Sequence, residues 1–281
     1  MGGLREATTM AETHKQHLAL TPIAQSAAQG RWRTEAMRAH AAPRLLFISR
    51  GSGRITVAGL TSGYGPNNLV FIPARVMYGF EVGPTTQGLM LRIPAALCAE
   101  WPEDPIHLRL RDVIAQKEIA ALFDNLEREL NSRRPDHDRA ALYHLGLLSV
   151  FFSRQLDDRP PDPADLRTRS AAARLVAAYT DLVERDYRSG KGVAGFARDL
   201  GVTPTHLTRS CRLTCNRSAL ALLNDRIIYE ARILLRDTRR PVQDIARDLG
   251  FSSAAYFTRS FQSRAGMTPT DFRRSVIALP N

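Results

Sequence analysis

Only three of the 281 residues are cysteine, and Cys98, Cys211 and Cys215 cannot build a disulfide framework. Cys211 and Cys215 stand four apart, on one face of a helix. No His or Cys pair with zinc spacing lies near them, so buried free thiols are the plainer reading than a redox pair or half a metal site. Long apolar runs are also missing. The longest, Leu147 to Phe152, falls far short of the ~18 residues a membrane span needs, so no membrane association is expected. The N-terminus lacks an apolar stretch before a small-residue cleavage site, and Glu6 stands where a myristoylation signal needs Ser or Thr. A cytoplasmic location is expected. The histidines are few and scattered. His14 and His17 lie in a polar stretch, and His107, His137 and His144 share no spacing. No nucleophile–base pair, glycine-rich phosphate loop or placed pair of acids is found. The sequence therefore points away from an enzyme and calls for no catalytic residue, metal or cofactor.

What is present is positive charge, unevenly spread. The formal net charge is +11, and residues 170–281 hold 18 Arg and Lys against 10 Asp and Glu. Arg outnumbers Lys, which genome composition can explain, but composition does not explain the imbalance between halves. A phosphate-facing surface does.

The second positive feature is a repeat. Ala-Arg-Asp-Leu-Gly occurs at 197–201 and again at 246–250, each time leading into a second short helical segment. The pattern predicts two helix-turn-helix units, over 193–213 and 242–263. In the first, Ala197 is small where the second helix crosses and Gly201 supplies the left-handed turn. Thr203 is a natural N-cap, Pro204 a first helical residue, and Leu207 turns inward. Thr205, His206, Thr208, Arg209 and Arg212 are left facing out, where this motif meets base edges and phosphates. In the second, Ile245, Leu249, Phe251, Tyr256, Phe257 and Phe261 read as core and Ser252 or Ser253 as the cap. Ala254, Ala255, Thr258 and Arg259 read as the outward face. Alanines can touch a thymine methyl but cannot hydrogen-bond a base. The first unit is therefore expected to discriminate bases and the second to anchor. Arg239 and Arg240 are expected phosphate contacts. An apolar stripe from Ser218 to about Thr238 predicts one helix of ~20 residues, about 30 Å long, close to the ~34 Å between successive major-groove faces. Double-stranded DNA is the expected partner.

Upstream, 1–20 is polar and aperiodic and is expected to be a mobile tail. Apolar runs at 45–48, 54–57, 69–72 and 89–93, separated by turn signals that include Ser62 to Asn68, predict a small β-barrel or sandwich. After Pro94 the pattern turns helical. Ala115, Ile119, Leu122, Leu126 and Leu130 form one stripe, and Leu142, Leu145, Leu148, Phe151 and Phe152 a second. These helices either pair across a dimer or pack on their own sheet. The proline-rich 156–168 reads as a linker, dividing a domain at 21–155 from one at 169–281.

Over 171–275 the chain strongly resembles the AraC/XylS family of bacterial transcription regulators. The residues that carry this are Asp244-Ile245-Ala246, Gly250-Phe251-Ser252, Tyr256 to Phe261, Gly266 to Pro269 and Phe272-Arg273, with Arg226, Ala231, Leu234 and Leu235 in the linking helix. The resemblance implies two helix-turn-helix units on a linking helix, promoter activation with RNA polymerase as a partner, and base reading by Thr205, Thr208, Arg209, Ala255, Thr258 and Arg259. Cys211 departs from the family's usual core Phe and Asn216 from its usual Gly. Phe71-Ile72-Pro73 and Tyr78-Gly79-Phe80 look, less specifically, like the cupin-like sensor of the same family, in members that respond to aromatic acids. The expected fold is thus multi-domain α+β, a cupin-like β-barrel with a helical hairpin followed by an all-α domain. Arg44 to Ile93 contains no His and a single Glu, Glu81, which argues against a metal-dependent cupin enzyme. Candidate effector contacts are Phe47, Ile55, Phe71, Tyr78, Phe80 and Met90, though each taken singly reads more plainly as core filling. Arg75 and Arg92 are placed either to pair with a carboxylate effector or as solvated charges. The alternative is an effector-independent regulator whose barrel serves only dimerisation or partner contact.

Overall fold

The computed structural model describes residues 17–28, 30–158 and 170–277. Most of the expected tail and linker lies outside them.

The N-terminal half opens with strand β1 (Ala19–Pro22) and short helices α1 (Ile23–Ala28) and α2 (Trp32–Glu35), and continues through β2 (Arg44–Arg50), β3 (Gly53–Val57), β4 (Leu60–Tyr64), β5 (Asn68–Ile72), β6 (Tyr78–Phe80), β7 (Gln87–Arg92) and β8 (Ile106–Arg109). These form two antiparallel sheets, ordered β1-β7-β2-β5-β8 and β4-β3-β6. The expected barrel is therefore a pair of sheets that does not close.

Every residue of β5 is buried, because both faces of the larger sheet are covered. Side chains alternate along a strand. Leu45, Phe47, Leu69, Phe71 and Leu91 take one face and pack on helices α3 (Val113–Leu130) and α4 (His137–Asp157). Leu46, Ile48, Val70 and Ile72 take the other and meet Ile55, Tyr64, Tyr78 and Phe80 of the smaller sheet. Phe47 stacks on Phe123 at 5.0 Å and Phe71 on Trp101 at 5.3 Å.

Three strands differ from expectation. Ala19 and Leu20, assigned to the tail, pair with Arg92 and Leu91. Ser62 to Tyr64, read as a turn, are the end of β4. The expected turn is confined to Gly65-Pro66-Asn67, with Asn67 at φ 57°, and a further turn falls at Ala58-Gly59, both at positive φ, a two-residue hairpin that sets Val57 opposite Leu60. β8 interrupts the stretch read as helical after Pro94.

The C-terminal half is all helix: α5 (Ala171–Asp186), α6 (Val193–Asp199), α7 (Pro204–Cys215), α8 (Ala219–Asp237), α9 (Val242–Asp248), α10 (Ala254–Ala265) and α11 (Pro269–Ile277). Val176, Tyr179, Val183, Phe196, Leu207, Leu222, Leu235, Ile245, Phe257 and Phe261 share one apolar core. Among the described residues no helix is long and apolar enough to cross a membrane.

The halves meet along a seam. Met37, Ala39 and Met77 join the core of the helical half. Trp32 packs on Tyr229 of α8 and Phe272 of α11, with ring centroids 5.7 and 5.9 Å apart. The Met37 amide donates to Asp225 at 3.5 Å, and β4 abuts α5 and α7.

Candidate nucleic-acid interface

Both helix-turn-helix units form where the repeat places them, and their turns are closed by the same bonds. The Val202 amide donates to Ala197 O at 2.9 Å and Phe251 to Ala246 O at 3.0 Å, while Gly201 and Gly250 donate to Arg198 O and Arg247 O, both at 3.0 Å. This pair of hydrogen bonds requires a left-handed residue after the helix, and Gly201 and Gly250 have φ of +68° and +78°. Ala197 and Ala246 are buried at the crossing.

The second helix of each unit is capped as its sequence predicts. Thr203 accepts from the His206 amide at 3.1 Å, and Ser253, rather than Ser252, accepts from Tyr256 at 3.2 Å. The spacing between copies thus grows from 49 residues at the turn glycines to 50 at the caps, because the second turn carries one extra residue. Leu207 then corresponds to Phe257, Cys211 to Phe261, and Arg209 to Arg259.

On α7, Thr205, His206, Arg209 and Arg212 are exposed and Thr208 is half-buried. On α10, Ala254, Ala255 and Arg259 are exposed and Thr258 is half-buried. The assignment of Tyr256 to the core is corrected: it is 54% exposed, leaning on Phe251 with ring centroids 5.7 Å apart. Phe257 and Phe261, four apart, define the inward face, and Tyr256 lies about 100° around the helix from the first and about 140° from the second.

Behind the recognition helices the two cores differ. The second is aromatic, with Phe257 and Phe261 at 5.8 Å and Phe261 edge-on to Phe272 at 5.6 Å. The first places Cys211 where the second has Phe. Both thiols on α7 are buried, and Cys215 Sγ donates to Cys211 O at 3.1 Å. Burial raises the Cys215 thiol and pushes Cys211 up to about 12, so neither is poised as a thiolate. Asn216, after α7, takes the left-handed conformation (φ 55°) that its Gly counterpart would.

Linking helix α8 starts at the Ser218 cap, which accepts from Ala221, and ends at Thr238, as expected. Its 19 residues rise about 28 Å. Arg226 anchors it: 4% exposed, it donates to Glu184 of α5 at 2.5 and 3.2 Å and to Glu230 at 2.9 Å. Burial opposes its charge, but these carboxylates, Glu184 foremost, hold its pKa above the ordinary range. Past the helix Arg239 is exposed, while Arg240 is partly engaged by Asp248 at 2.5 Å.

The candidate effector residues do not gather in one place. Phe47 and Phe71 face the α3–α4 hairpin, whereas Ile55, Tyr78, Phe80 and Met90 lie between the sheets. Arg75 is exposed at φ 62°, and Arg92 is half-buried and donates to His17 O at 2.9 Å. Sequence reading did not single out Arg38, which lies 4.3 Å over the Tyr78 ring, 5.3 Å from Phe80 and 6.0 Å from Tyr229 of α8. No local signal marks it, because these ring partners are 40, 42 and 191 positions away. Among the described residues no three His, Cys, Asp or Glu side chains gather as metal ligands would.

A helix-turn-helix domain family matches residues 196–275. The arabinose operon regulatory protein of Salmonella typhimurium is 30% identical over 237 residues, 80% of each chain. Its Escherichia coli counterpart is 26% identical over 165 residues, 58% of this chain and about half (53%) of that protein's length. Among solved structures, ToxT from Vibrio cholerae O395 aligns over 95% of this chain and 100% of its own, with 12% identity and a TM-score of 0.43. Duplicated, capped and outward-facing helix-turn-helix units on one linking helix, with a relative matched along four-fifths of its length, make this chain a DNA-binding member of the AraC/XylS family of transcription regulators.

Proposed function

We propose that the protein is a homodimeric activator that grips its operator with α7 and α10 and alters that grip when a small organic acid binds the N-terminal half. Thr205, His206, Thr208 and Arg209 read bases in one major-groove segment. Ala255, Thr258 and Arg259 meet the next, with Ser253 at its edge, and Arg212, Arg239 and Arg240 hold phosphates. RNA polymerase is the partner recruited. The observation that carries this reading is the twofold occurrence of an N-capped helix with an exposed Arg at the same position, Arg209 and Arg259. An exposed apolar face on α4, with Leu142 at 44%, Tyr143 at 67%, Leu147 at 54% and Val150 at 44%, supports that helix as the dimer contact. The α3 stripe supports no such role, since Ala115, Ile119 and Leu126 face their own sheet.

Footprinting the full-length chain on the promoter beside its own gene, with and without candidate acids, tests the proposal. Protection of two successive major-groove segments that changes with an effector is expected. Protection confined to one segment overturns the two-unit grip. The second reading, regulation without an effector, is favoured by one observation: Ile55, Tyr78 and Phe80 are at most 2% exposed and fill the space between the sheets. A thermal-shift screen with acids, sugars and metabolites separates the readings, since a ligand of the folded state raises stability by RT ln(1 + [L]/Kd).

A further inference from the structure

Recognition helix α10 is held from behind at two points. Phe261, on its inward face, meets Phe272 of α11 edge-on at 5.6 Å. The Arg264 carbonyl, in its last turn, accepts from Arg232 Nη2 of linking helix α8 at 3.3 Å. Both supports touch the same side chain of the N-terminal half. The Trp32 ring lies 5.9 Å from Phe272, again edge-on, and the Arg232 guanidinium lies 5.2 Å from the centre of the indole. Tyr229, one turn before Arg232 on α8, completes the seat at 5.7 Å. From its own side the indole is fixed by Gly30, at φ +119°, where a Cβ would stand 2.9 Å from Trp32 Cδ1 and Nε1. Elsewhere the seam bears on the first unit. A Cβ on Gly59 of the β3–β4 hairpin would meet Val176 of α5 at 2.2 Å, and β4 abuts α7.

Arg232 depends on the indole. It is buried, and among the described residues its Nε has no hydrogen-bond partner. Burial lowers its pKa, so the charge is held there at a cost. The face of an aromatic ring offsets part of such a cost, and Trp does so best. Without that face the guanidinium gains by turning to water, and the bond to the Arg264 carbonyl is lost with it. Phe272 depends on the indole through packing. Loss of the ring leaves a void beside Phe272 into which α11 can settle, and Phe261 of α10 follows.

We propose that Trp32 is a positioning residue for DNA binding, through which the N-terminal half sets the stance of recognition helix α10 by way of Phe272 and Arg232. It acts through those two supports, not on DNA itself. A shift of α2 is thereby delivered to one grip rather than to both. The inference rests on the reading that α7 and α10 grip successive segments of DNA.

The test uses full-length protein on the promoter beside its own gene, with hydroxyl-radical footprints and equilibrium titrations. Trp32→Ala is expected to weaken operator binding about tenfold. It should lose protection of the α10 segment and keep that of the α7 segment. Trp32→Phe, which restores a ring face, should recover most of the loss, whereas Trp32→Leu, which restores bulk alone, should not. Met77→Ala opens a cavity beside the β3–β4 hairpin, whose Ala58 amide donates to Met77 O at 2.9 Å. It should lower Tm with no selective loss of either segment. Paired substitutions sharpen the reading. Trp32→Ala should add little to Arg259→Ala but its full effect to Arg209→Ala. Equal additivity in the two backgrounds, or uniform fading of both segments, would overturn the proposal and leave Trp32 a plain stabiliser of the fold. So would unchanged operator binding in Trp32→Ala. If Trp32→Ala does not fold, Trp32→Phe against Trp32→Leu carries the same test. A wild-type footprint of one segment overturns the two-unit grip and this inference with it. Two wild-type segments that fade together in the Trp32 variants overturn this inference alone.

Discussion

Ala197 to Gly201 and Ala246 to Gly250 have the same five residues and the same turn bonds, but not the same surroundings. Nothing lies within 4 Å of a Cβ built on Gly201. A Cβ on Gly250 would stand 2.3 Å from the Gly190 nitrogen and 2.6 Å from Arg188 O. Asp199 is held by Lys191 at 2.7 Å, Asp248 by Arg240 at 2.5 Å. Leu200 is half-buried where Leu249 is buried. The local chemistry of the turn has been duplicated while its tertiary duties have diverged. The first turn is a surface feature, and the second is wedged against the chain that leads into the first unit.

The sharpest way to break that contrast is in the cores. Phe261→Ala should destabilise by about 4 kcal/mol, whereas Cys211→Ala, at the matching position, should cost about 1 kcal/mol, read by urea denaturation. Equal losses would mean that the first core is packed as tightly as the second. Next are the turn glycines. Gly250→Ala combines left-handed strain with a backbone clash and should cost about 3 kcal/mol, against about 1 kcal/mol for strain alone in Gly201→Ala. Third is the division of labour on DNA. Arg209→Ala should weaken operator binding by about 1–3 kcal/mol and relax preference at one base pair, while Arg239→Ala should weaken all sequences alike and flatten the salt slope. An equal loss of operator and random DNA in Arg209→Ala would remove that residue from base reading. The smallest effect concerns the seam. His40 has a depressed pKa in the folded chain, because of burial first and then Arg44 and Arg38. The unfolded chain takes up this proton near pH 6.5 and the folded chain does not. The stability present above that pH is therefore lost as pH falls toward the folded value. His40→Gln should flatten the stability curve below about pH 6.5, and an unchanged slope would show that His40 protonates freely.

What the sequence made legible was local. Thr203 and Pro204, Ser218, Gly201 and Gly250 act within a few residues of themselves, so the helical half could be read nearly element by element. The sheet half could not. Ser62-Gly63-Tyr64 has turn composition but is held extended by pairing with β3. Ala19 and Leu20 become a strand only because β7 offers an edge. Tyr256 was counted with its aromatic neighbours when only the helical angle could separate it from them. Trp32 and Arg38 matter through partners far along the chain, which no spacing rule reaches.

The back-to-back approach of Gly190 and Gly250 has a consequence for the promoters this protein serves. Two peptide backbones in van der Waals contact form a stop that side-chain repacking cannot compress, so the distance between the two helix-turn-helix units is gauged rather than adjustable. One added base pair between the contacted segments would turn one of them about a tenth of a revolution away. Operators for this protein are therefore expected to differ from one another by base substitution and to keep a constant count of base pairs between their two halves.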